Sequence, residues 1–168
     1  SKLEDASFTV AEIVLLAVGE MSLFESVAHA FTTMSTGGFG TDAGSLGTFS
    51  AYSQWVVIVF MFAAGASFAL HYRALRGGLC AYHRSPEFLL YTGITVAAII
   101  VIAGGLLGPG VDVPTAMRDA AFTAVSIITT TGFATADFGS WRPALEIFIV
   151  GLMFLGGMAG STAGGVKT

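Results

Sequence analysis

Two short stretches gather hydroxyl groups and glycine within a chain that is otherwise apolar. From Phe31 to Asp42 it reads FTTMSTGGFGTD, and from Val125 to Asp137 it reads VSIITTTGFATAD. The chemistry-bearing residues are Ser35, Thr36, Gly37, Gly38 and Phe39 in the first, and Thr129, Thr130, Thr131, Gly132 and Phe133 in the second. Such a stretch is poor helix material and leaves several backbone carbonyls without helical partners. A dehydrated cation exchanges its water shell for oxygens of that kind. Glycine permits the backbone bend that this needs, and the hydroxyls supply further oxygen ligands. The phenylalanines are placed to wedge each loop against its surroundings. Asp42 and Asp137, just beyond the loops, would concentrate cations at an outer mouth. The bland alternative is that Thr-Gly pairs only let helices turn or pack closely. No nucleophile, base and orienting group fall together anywhere, so an enzyme is not expected.

A third stretch, GGMAGSTAGGVKT from 156 to 168, has five glycines and two alanines around Ser161 and Thr162. Each interior glycine costs a helix about 1 kcal/mol relative to alanine. A phosphate loop would need lysine directly after the second glycine. Here Val166 stands between Gly165 and Lys167, and the run EIFIVGLMFL rather than a strand precedes it. A break in a helix that projects backbone into the space below the two loops fits better. Its residues are Gly156, Gly157, Gly160, Ser161, Thr162, Gly164 and Gly165. Lys167 has two readings, an electrostatic barrier in that space or a side chain that snorkels to the interface.

The elements that must position these residues belong to a membrane protein. Of the 168 residues 54% are apolar and 11% charged, and the mean hydropathy is +0.79, more apolar surface than a soluble domain hides. The net charge of −4 carries no nucleic-acid signature, and a lone Cys80 excludes an internal disulfide. Charge-free runs at Ala43–Leu70, Phe88–Val111 and Ile147–Val166 each reach the roughly 20 residues a span needs. Ala6–Val18 is shorter and holds Glu12, as expected of a clipped span; with no initiator methionine, the chain is expected to be a piece of a longer one. Between the runs, Ser22–Met34 and Thr115–Ile128 are helical in composition, with Pro114 marking a start for the second. At about 1.5 Å per residue they reach about 20 Å, enough to enter a bilayer and not to cross it. The segment HYRALRGGLCAYHRSPE carries Arg73, Arg76 and Arg84, three of the seven basic residues, which places it in the cytoplasm. Its two histidines, His71 and His83, have no metal-site spacing. His29 is expected to bond within the first short helix, and Glu12 and Glu20 to face a protein interface.

The arrangement repeats. Gly38-Phe39 aligns with Gly132-Phe133 at an offset of 94, bringing Ala30 onto Ala124, Thr36 onto Thr130 and Thr41 onto Thr135. At an offset of 92, Met61-Phe62 falls on Met153-Phe154 and Gly65 on Gly157. Two hydroxyl–glycine stretches in register, each after a half-length helix and before a span, mark a repeat built round an axis. The expected fold is an all-α membrane protein of repeated helix, pore-loop, helix units. Residues 1–72 form one unit, 73–87 a cytoplasmic basic loop, and 88–168 a second unit that ends in a broken inner helix.

The segments MSLFESVAHAFTTMSTGGFGTD, GASFALHYRAL with YHRSPEF, TTTGFATADF and GGMAGSTAGGVK together resemble the Trk/Ktr/HKT superfamily of potassium transporters, most closely its bacterial TrkH branch. The resemblance covers almost the whole chain. It implies four unlike repeats around one pore, of which this chain carries the second and third; with half a ring, it is not expected to conduct alone. It implies K+ as the transported ion, with Ser35–Phe39 and Thr129–Phe133 as filter and Gly156–Gly165 as an intramembrane gate. Met158 departs from the family pattern, which has a small residue or cysteine there. The partners implied are the remaining repeats of the same chain, a second copy in a homodimer, membrane lipid and a cytosolic nucleotide-binding regulatory subunit of the TrkA type. The location implied is the bacterial inner membrane. Channel-like flow and proton- or sodium-coupled symport fit these residues alike.

Overall fold

A computed structural model describes residues 2–41, 44–77, 80–108, 111–136, 139 and 141–165. The regular structure among those residues is helical, with no strand. The first unit holds α1 (Lys2–Val18), α2 (Leu23–Met34), α3 (Ala51–Ala64) and α4 (Phe68–Gly77), and the short α5 (Cys80–Arg84) leads onward. The second unit holds α6 (Pro86–Leu106), α7 (Val113–Ile128) and α8 (Pro143–Leu152).

Local chemistry sets the helix starts. Ser22 and Glu25 close a capping box on α2: the Ser22 hydroxyl accepts from the Glu25 N–H at 3.3 Å, and the Glu25 carboxylate accepts from the Ser22 N–H at 2.8 Å. Two orphan donors of the first turn are thereby satisfied. Ser50 and Ser85 cap α3 and α6, and proline opens α6, α7 and α8, where its missing N–H costs nothing. The helix α6 is long and apolar enough to cross a membrane.

The expected spans at Ala43–Leu70 and Ile147–Val166 are not continuous helices. The first bends by 98° between α3 and α4, and the second unwinds from Met153. The first break is stable because its orphan carbonyls are all taken. Phe62 O accepts from the Tyr91 hydroxyl at 3.0 Å, Ala63 O from His71 Nε2 at 2.9 Å, and Ala64 O from the Thr162 hydroxyl at 3.2 Å. Gly65 O accepts from Met158 N–H at 3.0 Å. A carbonyl only accepts, so His71 Nε2 carries its proton, and Nδ1 accepts from the Tyr82 hydroxyl at 2.7 Å. The 73–87 stretch, expected as a loop, is therefore mostly helical, and His71 is a buried strut beneath the bend.

The units meet through α7, which packs on α6 within its own unit and on α3 of the other. Leu16, Met21, Leu46, Val57, Met61 and Phe122 form the core between them. Glu12 is wholly buried on the inner face of α1 rather than presented outward.

Candidate cation site

The two loops that follow α2 and α7 have the same backbone. Thr36 and Thr130 stand in the left-handed region at φ 51° and 55°, and Gly38 and Gly132 at φ 65° and 87°. Glycine adopts that region freely, whereas for a β-branched threonine it is an outlier that the surroundings must impose. The hydrogen bonds that impose it repeat at the offset of 94. Gly37 N–H donates to Thr32 O at 2.8 Å and Thr131 N–H to Ser126 O at 2.9 Å, with Gly38 and Gly132 donating to the same two carbonyls at 3.4 Å. Beyond them, the Thr32 hydroxyl donates to Phe39 O at 2.9 Å and the Ser126 hydroxyl to Phe133 O at 2.7 Å.

Every loop N–H named here turns back onto the helix that precedes its loop, so the loop carbonyls face the other way. Among the described residues none donates to the carbonyls of Thr36, Gly37, Gly38, Thr130, Thr131 or Gly132. The two loops also touch. The Thr131 carbonyl lies where a side chain on Gly38 would stand, so only glycine fits there. Past the loops, Leu46 N–H donates to Ala134 O at 3.1 Å, and Ala134 N–H donates to the Ser45 hydroxyl at 3.2 Å. Clusters of neutral oxygens with no donor of their own can replace part of the water around a cation.

The glycine-rich segment lies against the opposite ends of both loops. The Thr36 hydroxyl approaches Thr162 O at 3.0 Å, and Gly164 N–H donates to the Thr130 hydroxyl at 2.6 Å. From its other side the segment meets the bend between α3 and α4, where Phe68 N–H donates to Gly160 O at 3.4 Å. Gly65 and Gly157, aligned in the sequence, touch: a methyl on Gly157 would come within 2.7 Å of Gly65 O. Gly160 and Gly165 both have positive φ.

Of the residues singled out in the sequence, Ser35–Phe39, Thr129–Phe133, Gly156, Gly157, Gly160, Ser161, Thr162, Gly164 and Gly165 are brought into one region. Phe133 wedges its loop: it is 3% exposed, against the His29 ring at 5.8 Å. Phe39 has no such wall among the described residues and is 76% exposed. His29 bonds within its helix as expected, Nδ1 lying 2.8 Å from Glu25 O. Asp42, Asp137 and Lys167 lie outside the described residues. Sequence reading missed Thr32 and Ser126, although the same offset of 94 pairs them and both bear hydroxyls.

The chain matches the sequence profile of the TrkH family, described as cation transport proteins, over residues 7–84 and 88–168. It is 32% identical over 163 residues to the Trk system potassium uptake protein TrkH of Salmonella typhimurium, covering 95% of this chain and 34% of that protein. It is 36% identical over 168 residues to the TrkH of Halomonas elongata, covering 96% of this chain and 34% of that protein. The fold superposes on the crystal structure of the potassium transporter TrkH from Vibrio parahaemolyticus with a TM-score of 0.91 at 34% identity, over 96% of this chain and 36% of that one. The chain thus spans about a third of the length of the curated relatives it matches, and its fold is that of an all-helical membrane protein.

Proposed function

This chain belongs to the TrkH family of cation transport proteins, and from that premise we propose that it supplies two pore-forming repeats of a potassium uptake protein. The observation that carries the reading is the loop backbone, repeated at the offset of 94, whose N–H groups turn onto the preceding helix and whose carbonyls accept from no donor among the described residues. Potassium sheds part of its water and takes oxygens from Thr36, Gly37 and Gly38 and from Thr130, Thr131 and Gly132. Ser35 and Thr129 cap the two pore helices behind them, and Phe39 and Phe133 lock the outer ends. Asp42 and Asp137 gather cations at the mouth. The segment from Gly156 to Gly165 is the gate, and Lys167 follows it on the inner side. The remaining repeats of the full-length protein complete the ring, with Phe39 seated on one of them.

The full assembly is a homodimer in the lipid of a bacterial inner membrane, with the Arg73 to Arg84 segment in the cytoplasm. A cytosolic nucleotide-binding subunit of the TrkA type regulates it there. A module that only packs helices has no use for left-handed threonines at matched places in two loops, which is why the non-conducting alternative is set aside.

The test is selectivity in the full-length protein. Gly38→Ser and Gly132→Ser put a side chain on a left-handed backbone and should lower the ratio of potassium to sodium uptake in proteoliposomes about tenfold or more. An anomalous-scattering map with rubidium should place density between the two loops. Unchanged selectivity in both variants, with no density there, rejects the reading.

A further inference from the structure

Thr36 and Thr130 occupy equivalent places in the two loops, both with left-handed φ angles. Both hydroxyls meet the same segment of chain, two residues apart: one at Thr162 O, the other at Gly164 N–H. These contacts join residues 126 and 34 positions apart in sequence, and nothing in local backbone geometry requires either. We propose that the two threonines are positioning residues that latch the glycine-rich segment to the loops, so that the gate opens only by releasing both hydroxyls. The inference deepens the transport reading and rests on it for the meaning of "gate".

The two arms of the latch differ in chemistry. The Thr36 hydroxyl has one proton and two acceptors in reach, Ser35 O at 2.7 Å and Thr162 O at 3.0 Å. When the segment leaves, that proton stays bonded to Ser35 O, so release orphans no donor at this arm. At the other arm the hydroxyl is the acceptor, and release strips Gly164 N–H of its partner. The Thr130 arm is therefore the stronger of the two. A net hydrogen bond shifts a two-state equilibrium by roughly two- to tenfold, and loss of the acceptor for a backbone N–H lies at the upper end.

The experiment compares Val and Ser at each position in the full-length protein, because Val keeps the β-branched shape without the hydroxyl and Ser keeps the hydroxyl. Cys80 is replaced by serine, and Ala163→Cys, buried beside Gly157, reports release of the segment through its rate of thiol labelling. Thr130→Val should raise that rate about tenfold and Thr36→Val about two- to threefold, while Thr36→Ser and Thr130→Ser stay near the parent. Potassium flux per folded molecule should rise in both Val variants, more in Thr130→Val than in Thr36→Val. If the hydroxyls serve instead as cation ligands, the Val variants lose flux and labelling does not change, which overturns the latch. Equal labelling of Val and Ser variants overturns it as well. Should Thr130→Val fail to assemble, Thr36→Val, which orphans no donor, decides alone. A labelling response in a protein whose parent moves no potassium would keep the latch and reject the transport reading; a transporting parent whose labelling ignores the hydroxyls would do the reverse.

Discussion

The loop after α2 and the loop after α7 share one backbone and are supported in different ways. Behind the second loop runs a buried hydroxyl ladder: Thr129 donates to Val125 O at 2.7 Å, and Thr131 donates to the Thr129 oxygen at 2.8 Å. The Ser126 hydroxyl goes to Phe133 O, and the Phe133 ring fills the core between the units. In the first loop Gly37 stands where Thr131 would be, so the ladder has no upper rung. The Thr32 hydroxyl divides its proton between Phe39 O and two helix carbonyls, Ala28 O at 3.0 Å and His29 O at 3.1 Å. The lesson is that the shared part is the backbone conformation, set by two N–H groups on one helix carbonyl. Side-chain scaffolding has been free to differ, leaving one stiff loop and one compliant loop side by side.

The largest test of that contrast is at the phenylalanines. Phe133→Ala should destabilise the protein by about 3–5 kcal/mol through the cavity it leaves. Phe39→Ala should cost this chain almost nothing, and any larger cost in the full-length protein measures a wall supplied from outside these residues. Thermal melting of the purified full-length variants gives both numbers.

Next come the glycines. An alanine at Gly38 pays about 1–2 kcal/mol for its left-handed φ and about 1–3 kcal/mol for overpacking against the Thr131 carbonyl. Among the described residues, its two chain neighbours aside, nothing stands within 4 Å of a methyl on Gly132. If a further repeat closes on the second loop as the second closes on the first, Gly132→Ala in the full-length protein will cost as much as Gly38→Ala. A Gly132→Ala variant that pays only the conformational part breaks the ring.

The smallest effect separates the two struts. Ser126→Ala removes the sole bond of its hydroxyl to the loop and should cost about 1 kcal/mol, whereas Thr32→Val should cost about half of that. Because Ser126 holds the stiff loop, its variant should also lose the larger share of potassium over sodium selectivity. Equal losses in the two uptake ratios would mean that stiffness is not what separates the loops.

Much of this was legible in the sequence. The short helices observed at Leu23–Met34 and Val113–Ile128 fall within two residues of Ser22–Met34 and Thr115–Ile128, because serine and proline announce helix starts. The offset of 94 was visible in residue types and reappears in the signs of φ. The 98° bend was hidden inside Ala43–Leu70, where Gly65-Ala66-Ser67 carries no charge and hydropathy averages over it. The alignment of Gly65 with Gly157 pointed to it, since both glycines lie in the broken stretches: α3 ends at Ala64, and α8 ends at Leu152, four residues before the aligned position. The buried role of His71 depends on that bend and so stayed hidden with it. The direction of the Thr36 and Thr130 hydroxyls could not be read, because it follows from a left-handed backbone that threonine rarely adopts.

One consequence of the loop backbone concerns acidity. The bare groups from Thr36 to Gly38 and from Thr130 to Gly132 are peptide oxygens, and neither run contains a residue that gains or loses a proton between pH 2 and 12. A ring of carboxylates would weaken as the medium acidified through about pH 4, and it would draw divalent ions more strongly than monovalent ones. Peptide dipoles do not titrate. On the proposed transport reading, preference among monovalent ions follows how firmly these six oxygens are held apart, a property of mechanical compliance sensitive to temperature and to the buried hydroxyl struts, while acid acts through the carboxylates assigned to the mouth and not through the loop oxygens.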